Sequence, residues 1–367
     1  MFAHPGLIVS IVAAAGLSLG CRNSTPSHRV PGVADADALW GGGGFCARTP
    51  RGLLCWNTGQ TEVVSRGPAL VEGVEGVREV ALRNGEACAL DARGVACFTP
   101  GEAKSRRVDF DAPSQVVATH GYPGLICVLD AQGVSCWGGD LRKPLRRPEM
   151  GKPERLIPAV NGGTVCGVQG TTLRCFESDM RGIPKLTFVA SGTTNPKAVY
   201  ASAIGGNLFV LDDNGLRSAK VQTVTVGNPF AVKDPLDVDA AIHPAAGAAV
   251  TLSAVGGVGK VSALANRSIW TLALDETGVA TVEHRSGRVN VERWVTRGVP
   301  HGLWSGYKDV FFTRDGDTLW ERGWDKGKKI DRQVEGVLKP ATVVPDIYWT
   351  CVLEEGGGVA CVPSPKV

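Results

Sequence analysis

Residues 88–97 read CALDARGVAC, and residues 127–136 read CVLDAQGVSC. Each stretch sets two cysteines nine apart around Asp-x-x-Gly. Aligning the chain on itself extends the pair into a series. A short β-run, Cys-x-Leu-Asp-x-x-Gly-Val-x-Cys and an aromatic appear as GFCARTPRGLLCW (44–56), EACALDARGVACF (86–98), LICVLDAQGVSCW (125–137) and TVCGVQGTTLRCF (164–176). Copies without cysteine follow as NLFVLDDNGLRSA (207–219), WTLALDETGVATV (270–282) and VFFTRDGDTLWER (310–322), and WTCVLEEGGGVACV (349–362) ends the series. The first-cysteine positions, or their substitutes, fall at 46, 88, 127, 166, 209, 272, 312 and 351, in steps of about 40 residues except one of 63.

With Cys21 set aside, ten of the 11 cysteines form the pairs Cys46/Cys55, Cys88/Cys97, Cys127/Cys136, Cys166/Cys175 and Cys351/Cys361. The three copies without cysteine lack both, carrying Phe209/Ser218, Leu272/Thr281 and Phe312/Glu321. Loss in pairs is what a bond between the two positions predicts. Asp and Gly favour the first and fourth positions of a type I turn. A turn at 91–94 sets Leu90 against Val95, Ala89 against Ala96 and Cys88 against Cys97, close enough for a disulfide. Cys351/Cys361 has one extra residue, which Gly356–Gly358 can absorb as a bulge. Disulfides fit an exported chain, and each short loop closed is worth about 2–3 kcal/mol. Reduced, buried cysteines are the competing reading. No CxxC or His-rich zinc spacing occurs.

Each unit has room for four strands. β-branched segments at 78–82, 115–119 and 198–201 precede hairpins, and candidate outer strands at 61–65, 107–110, 185–190 and 288–294 follow them. Four-stranded repeats of 40–45 residues are the mark of a β-propeller blade, so the fold class read here is all-β. The aromatics after the second cysteine, Trp56, Phe98, Trp137 and Phe176, are expected to pack between blades. CVLDAQGVSCWG (127–138) resembles repeats of the regulator of chromosome condensation superfamily, especially its exported bacterial members. The resemblance covers roughly 35–367 and is strongest in the first four repeats and the last. The Gly-Gln-Leu-Gly stretch usual in that family is missing, with Gly59-Gln60 its nearest remnant. Family members usually have seven blades; the hairpin count here gives eight and leaves seven open. Residues 226–258 are either an inserted loop or the remains of a strand pair. Only six residues follow Cys361, so residues 29–33 are expected to supply the last blade's outer strand.

Residues 1–20 read as a signal peptide with an unbroken run of apolar and small residues at 7–19. LSLGC (17–21) resembles the lipobox of bacterial lipoproteins, which implies acylation, including palmitate, at Cys21. Ser18 and the absence of Lys or Arg before the run depart from that pattern. Domain boundaries follow: signal 1–20, lipidated Cys21 and tether 21–34, propeller 35–367. The expected location is the cell envelope, membrane-anchored through the lipid, with a secreted or periplasmic soluble form as the alternative. No later run is long enough to span a membrane.

Net charge is +3, from 39 basic against 36 acidic side chains, too even for nucleic acid by bulk electrostatics. None of the six histidines has a metal-ligand partner at a useful spacing, and Gly256–Lys260 lacks the leading Gly and following Ser/Thr of a phosphate loop. No catalytic residue, metal site or cofactor is read. Hairpin tips carry Asp91, Asp130, Asp212, Asp213, Asp275, Glu276, Glu354 and Glu355, whereas 141–155 and 322–332 are basic. Charge segregated between the two faces would let Arg142, Lys143, Arg146, Arg147, Lys328 and Lys329 dock an acidic partner or lipopolysaccharide phosphates; solvated loops are the plainer reading. The functional expectation is a monomeric, non-catalytic envelope scaffold for a protein or glycan. The alternative is a propeller lyase or hydrolase with its site at the central channel mouth. The family's roles in nucleotide exchange and β-lactamase inhibition find no matching residues.

Overall fold

The computed structural model describes residues 24–364, apart from 84, 120–123, 139–140, 161–163, 179–183, 203–206, 221–247, 268–269, 286–287, 295, 297–298, 307–308 and 326. Their strands form eight sheets. The innermost strand of each sheet touches those of its two neighbours, and the cycle closes between the last sheet and the first. The chain is an eight-bladed β-propeller. The one helical turn among the described residues is Pro148–Met150, and no helix among them is long and apolar enough to cross a membrane.

The second blade shows the unit: Glu79–Arg83, Glu86–Asp91, Gly94–Phe98 and Ser105–Val108 pair antiparallel in that order from the axis outward. Its register is the one the turn dictates, with Leu90 opposite Val95 and Cys88 opposite Cys97. Gly94 has φ +116°, and the matching Gly52, Gly133, Gly215 and Gly278 also have positive φ, a conformation that costs glycine little. Blades four and seven move the glycine to the second turn position, at Gly170 and Gly316. In blade eight Cys351 still faces Cys361, and the extra residue is taken up in the turn around Gly357, whose φ is +77°.

The five expected pairs are all bonded: Cys46–Cys55, Cys88–Cys97, Cys127–Cys136, Cys166–Cys175 and Cys351–Cys361. Each bridge crosses one hairpin with Cα atoms 4.0–4.1 Å apart. Adjacent residues on a strand face opposite ways, so each bridge and the aromatic beside it serve different seams. Cys46 and Cys55 pack toward blade two, against Leu82 and Phe98. Trp56 turns back toward blade eight, against Trp349 and Leu353. Cys127 and Cys136 pack toward blade four, against Leu156 and Phe176, whereas Trp137 packs on blade two. Cys166 and Cys175 pack toward blade five, against Val199 and Leu208, whereas Phe176 packs on blade three. Where the bridge is absent, Phe209, Leu272 and Phe312 fill the same seams with hydrocarbon.

Several features refine the sequence reading or differ from it. The outer strand of blade one is Arg66–Leu70, not 61–65; positive φ at Gly67, followed by Pro68, marks a bend that strand patterning does not reveal. The ladder to the outer strand slips beside Cys55, Cys136 and Cys175. In blade three the register shifts between Cys136 and Gly138. In blade four Cys175 faces Phe188 and Phe176 faces Leu186, which leaves residue 187 as an extra on the outer strand. Such bulges bend and twist the edge, and they start at the second cysteine because the bridge holds the hairpin, not the outer strand, in register. The 226–258 stretch ends in two strands. Ala248–Thr251 lies parallel on the edge of blade four, and Ser253–Ala254 is the outer strand of blade five. The propeller also begins earlier than residue 35. Ser24–Pro26 pairs parallel with Lys328–Glu335 of blade seven, and His28–Arg29 completes blade eight against Val359–Pro363. Val30 and Val33 are buried, so 24–34 belongs to the ring and is not a free tether. The closing strand is therefore supplied from the N-terminal side as expected, though by 28–29 instead of 29–33. Cys21 lies outside the described residues.

Candidate functional site

The acidic tips are not a surface feature. Asp91, Asp130, Asp212, Asp275 and Glu354 are buried, and only Asp213, Glu276 and Glu355 are exposed. Each buried carboxylate fastens several chain segments. Asp275 accepts hydrogen bonds from the Thr277 amide at 2.9 Å and the Gly259 amide at 2.8 Å. It also accepts two from Arg293 of the outer strand, each at 2.7 Å. Asp91 repeats this with the Arg93 and Glu75 amides and Arg107, and Asp130 with the Gln132 amide and Arg146. Asp212 takes Arg217 instead, from the third strand. In blade eight Arg29, on the N-terminal strand, binds Glu354, which also accepts the Leu338 amide at 2.7 Å.

Burial opposes ionisation of Asp275, but Arg293, the two amides and the Thr277 hydroxyl outweigh it and hold the carboxyl well below its usual range. The same balance, burial against an arginine and backbone amides, lowers Asp91 and Asp130. These aspartates are structural clamps that neutralise their own charge. Gly256–Lys260 is explained likewise: it is the connection into blade six, with the Gly259 and Lys260 amides donating to Asp275 and Glu276.

The basic residues are not brought together either. Leu141–Arg146 is the outer strand of blade three and Lys328–Glu335 that of blade seven, four blades apart in a ring of eight. Arg146 is committed to Asp130. Arg147 is buried, 3.8 Å from Glu149. It opens the connection out of blade three, where Val71 opens the one out of blade one, and burial lowers its pKa against the pull of Glu149. Lys143 and Lys328 are exposed. The side chain of Arg142 lies outside the described residues. Lys329 is exposed and sets its ammonium 4.7 Å from the centre of the Trp294 ring. Of the histidines, His28 meets Trp349 edge-on and His301 is exposed. Glu86, Cys88 and Cys97 come within metal-binding distance of one another, but the two sulfurs are bonded together.

One concavity collects chemistry. A cleft of about 790 Å³ runs between the outer strand of blade six and the turns of blade seven, lined by Trp270, Glu283, Glu292, Trp294, Asp309 and Trp324 among others. Its six-side wall follows from strand register. Thr281 opposes Glu292 and Glu283 opposes Asn290, and residues two apart share a face. Thr281, Glu283, Asn290, Glu292 and Trp294 therefore look the same way, toward blade seven. The Trp270 indole donates to Glu283 at 2.7 Å. Trp294 is edge-on to Phe311 at 5.2 Å and to Trp324 at 6.5 Å. Trp324 is 39% exposed, the most open large aromatic of the cleft. Arg293 also lines the cleft but is spent on Asp275. The site lies at the rim, not at the channel mouth. Sequence reasoning missed it, although five of the nine tryptophans fall within 270–324 and that clustering was the available signal.

No family model matches the chain, and no curated protein matches it. Solved structures do. The computationally designed Ika8 protein superposes with a TM-score of 0.51 at 11% identity, over 93% of this chain and 99% of its own. Human WBSCR16 aligns over 87% of this chain and 92% of its own, at 12% identity and a TM-score of 0.45. Virginiamycin B lyase from Staphylococcus aureus aligns over 78% of this chain and 94% of its own, at 10% identity and a TM-score of 0.43. At these identities the likeness is one of fold alone.

Proposed function

We propose that this protein is an exported, non-catalytic lipoprotein with repeats of the chromosome-condensation-regulator type, anchored through Cys21, that binds a glycan in the cleft between blades six and seven. The five disulfides support the exported setting, since such bonds persist in oxidising compartments. The observation that carries the ligand class is the pairing of three indoles with three carboxylates in one concave site. Indole faces cover the apolar faces of sugar rings, and carboxylates accept hydrogen bonds from ring hydroxyls. The size suits a ligand of two or three rings.

The test is titration of the purified propeller with oligosaccharides of envelope type, followed by tryptophan fluorescence and calorimetry. Trp324→Ala and Glu292→Gln should each weaken binding about tenfold or more while leaving the thermal transition in place. No binding across the panel, or binding indifferent to both substitutions, overturns the glycan reading. Cleavage of a bound oligosaccharide overturns the non-catalytic one and restores the lyase or hydrolase alternative. For the anchor, Cys21→Ser should move the protein from the membrane to the soluble fraction; an unchanged distribution refutes lipidation.

A further inference from the structure

We infer that the glycan recognised by this cleft carries free ammonium groups, as a deacetylated amino-sugar polymer does, and that Lys329 is a built-in occupant which such a ligand displaces. The inference rests on the glycan reading above and adds the charge of the ligand. Two observations lead to it. The first is electrostatic: among the described residues Glu292 and Asp309 have no ion-pair partner, and the cleft's arginine, Arg293, is neutralised by Asp275 at 2.7 Å. Among the described residues the lining is thus net negative, in a concavity where water is partly excluded and a cation gains most.

The second is geometric. The Lys329 ammonium stands 4.7 Å from the Trp294 ring centre, inside the range at which an aromatic face attracts a cation. Trp294 is braced edge-on by Phe311 and Trp324, so its face is held in place. The ring therefore already receives a primary ammonium, from a flexible and exposed side chain that a ligand can push aside. A sugar ring bearing an amine would stack on one indole, set its ammonium on Trp294 and find Glu292 and Asp309 within the same cleft. An anionic glycan would meet carboxylates with, among the described residues of the cleft, no free counter-charge except Lys329.

The experiment compares a glucosamine hexamer with its fully N-acetylated counterpart on the wild-type protein and on Lys329→Ala. The amine form should bind at least about tenfold more tightly, from the combined cation–π and carboxylate attraction, and its affinity should fall with added salt. Lys329→Ala should strengthen amine-form binding several-fold, because the competing cation is gone. Equal affinity for the two hexamers, or weaker binding by Lys329→Ala, overturns the ammonium inference and leaves the glycan reading standing. Binding of neither hexamer, nor of any other sugar in the panel, overturns both. Glu292→Gln separates charge from shape: it should reduce the preference for the amine form more than it reduces binding of the acetylated form.

Discussion

Asp275→Asn is the sharpest probe of how the blades are held. The substitution keeps the shape of the side chain and removes its charge. It also points an amide N–H₂ at groups that are themselves donors, namely Arg293 at 2.7 Å and the Gly259 and Thr277 amides at 2.8 and 2.9 Å. Removing one partner of a buried pair costs about 3–5 kcal/mol. Arg293 is 39% exposed and can recover hydration, so the expected loss at pH 7 is about 2–3 kcal/mol. The pH dependence has a definite sign. The folded carboxyl titrates well below its usual range, so its ionisation stabilises the fold above an unfolded value near about 3.9. That contribution fades as pH falls toward the folded value. Between pH 7 and pH 3 the wild type should lose roughly 1 kcal/mol through this one group, which the variant cannot lose. Urea unfolding followed by tryptophan fluorescence at both pH values reads the difference, and the gap between the proteins should narrow by that amount at pH 3. A variant as stable as wild type at pH 7, or a gap that does not change with pH, would refute the clamp.

Other outcomes follow from the same physics. Leu272 and Thr281 oppose each other where blades one to four have cystine, so Leu272→Cys with Thr281→Cys should bond on air oxidation, show no more free thiol than wild type in an Ellman assay and add about 2 kcal/mol at most. Glu79 is raised chiefly by burial, opposed by the Val116 amide and Arg78; its ionisation works against the fold as pH climbs through the folded value. Glu79→Gln keeps the acceptor for Val116 and should match or exceed wild type in thermal stability at pH 7, by about 1 kcal/mol at most. Arg29→Ala should cost about 1–2 kcal/mol, since Arg29 is half-exposed but Glu354 is not, and should speed hydrogen exchange at Ala360 and Cys361 more than in blade two.

The repeat was legible because turn chemistry and covalent pairing both write themselves into local spacing. Asp-x-x-Gly fixes the hairpin, and the hairpin fixes which cysteines meet. The aromatic beside the second cysteine faces away by strand alternation, which is why Trp137 and Phe176 pack as expected. What failed was inference across strands. The slips beside Cys136 and Cys175 depend on how the outer strand settles, and no local spacing records that. Asp130 and Arg146 are 16 residues apart, and nothing in their spacing says that one charge is buried against the other. Read as exposed, the two were counted toward an acidic face and a basic rim, whereas they spend their charges on each other. The cleft was hidden for a related reason. Trp294 and Trp324 belong to different blades, and they meet only because the sheets pack side by side.

The final blade is completed by His28–Arg29, a segment about 330 residues distant along the chain. During synthesis that segment emerges before the sheet it completes and meets its partner strand only once Val359–Pro363 has followed it. Seven sheets can assemble in sequence, but the place of the eighth stays open, with an uncovered apolar sheet face on each side. The ring can shut only after Val359–Pro363 has been delivered to the place where the chain folds.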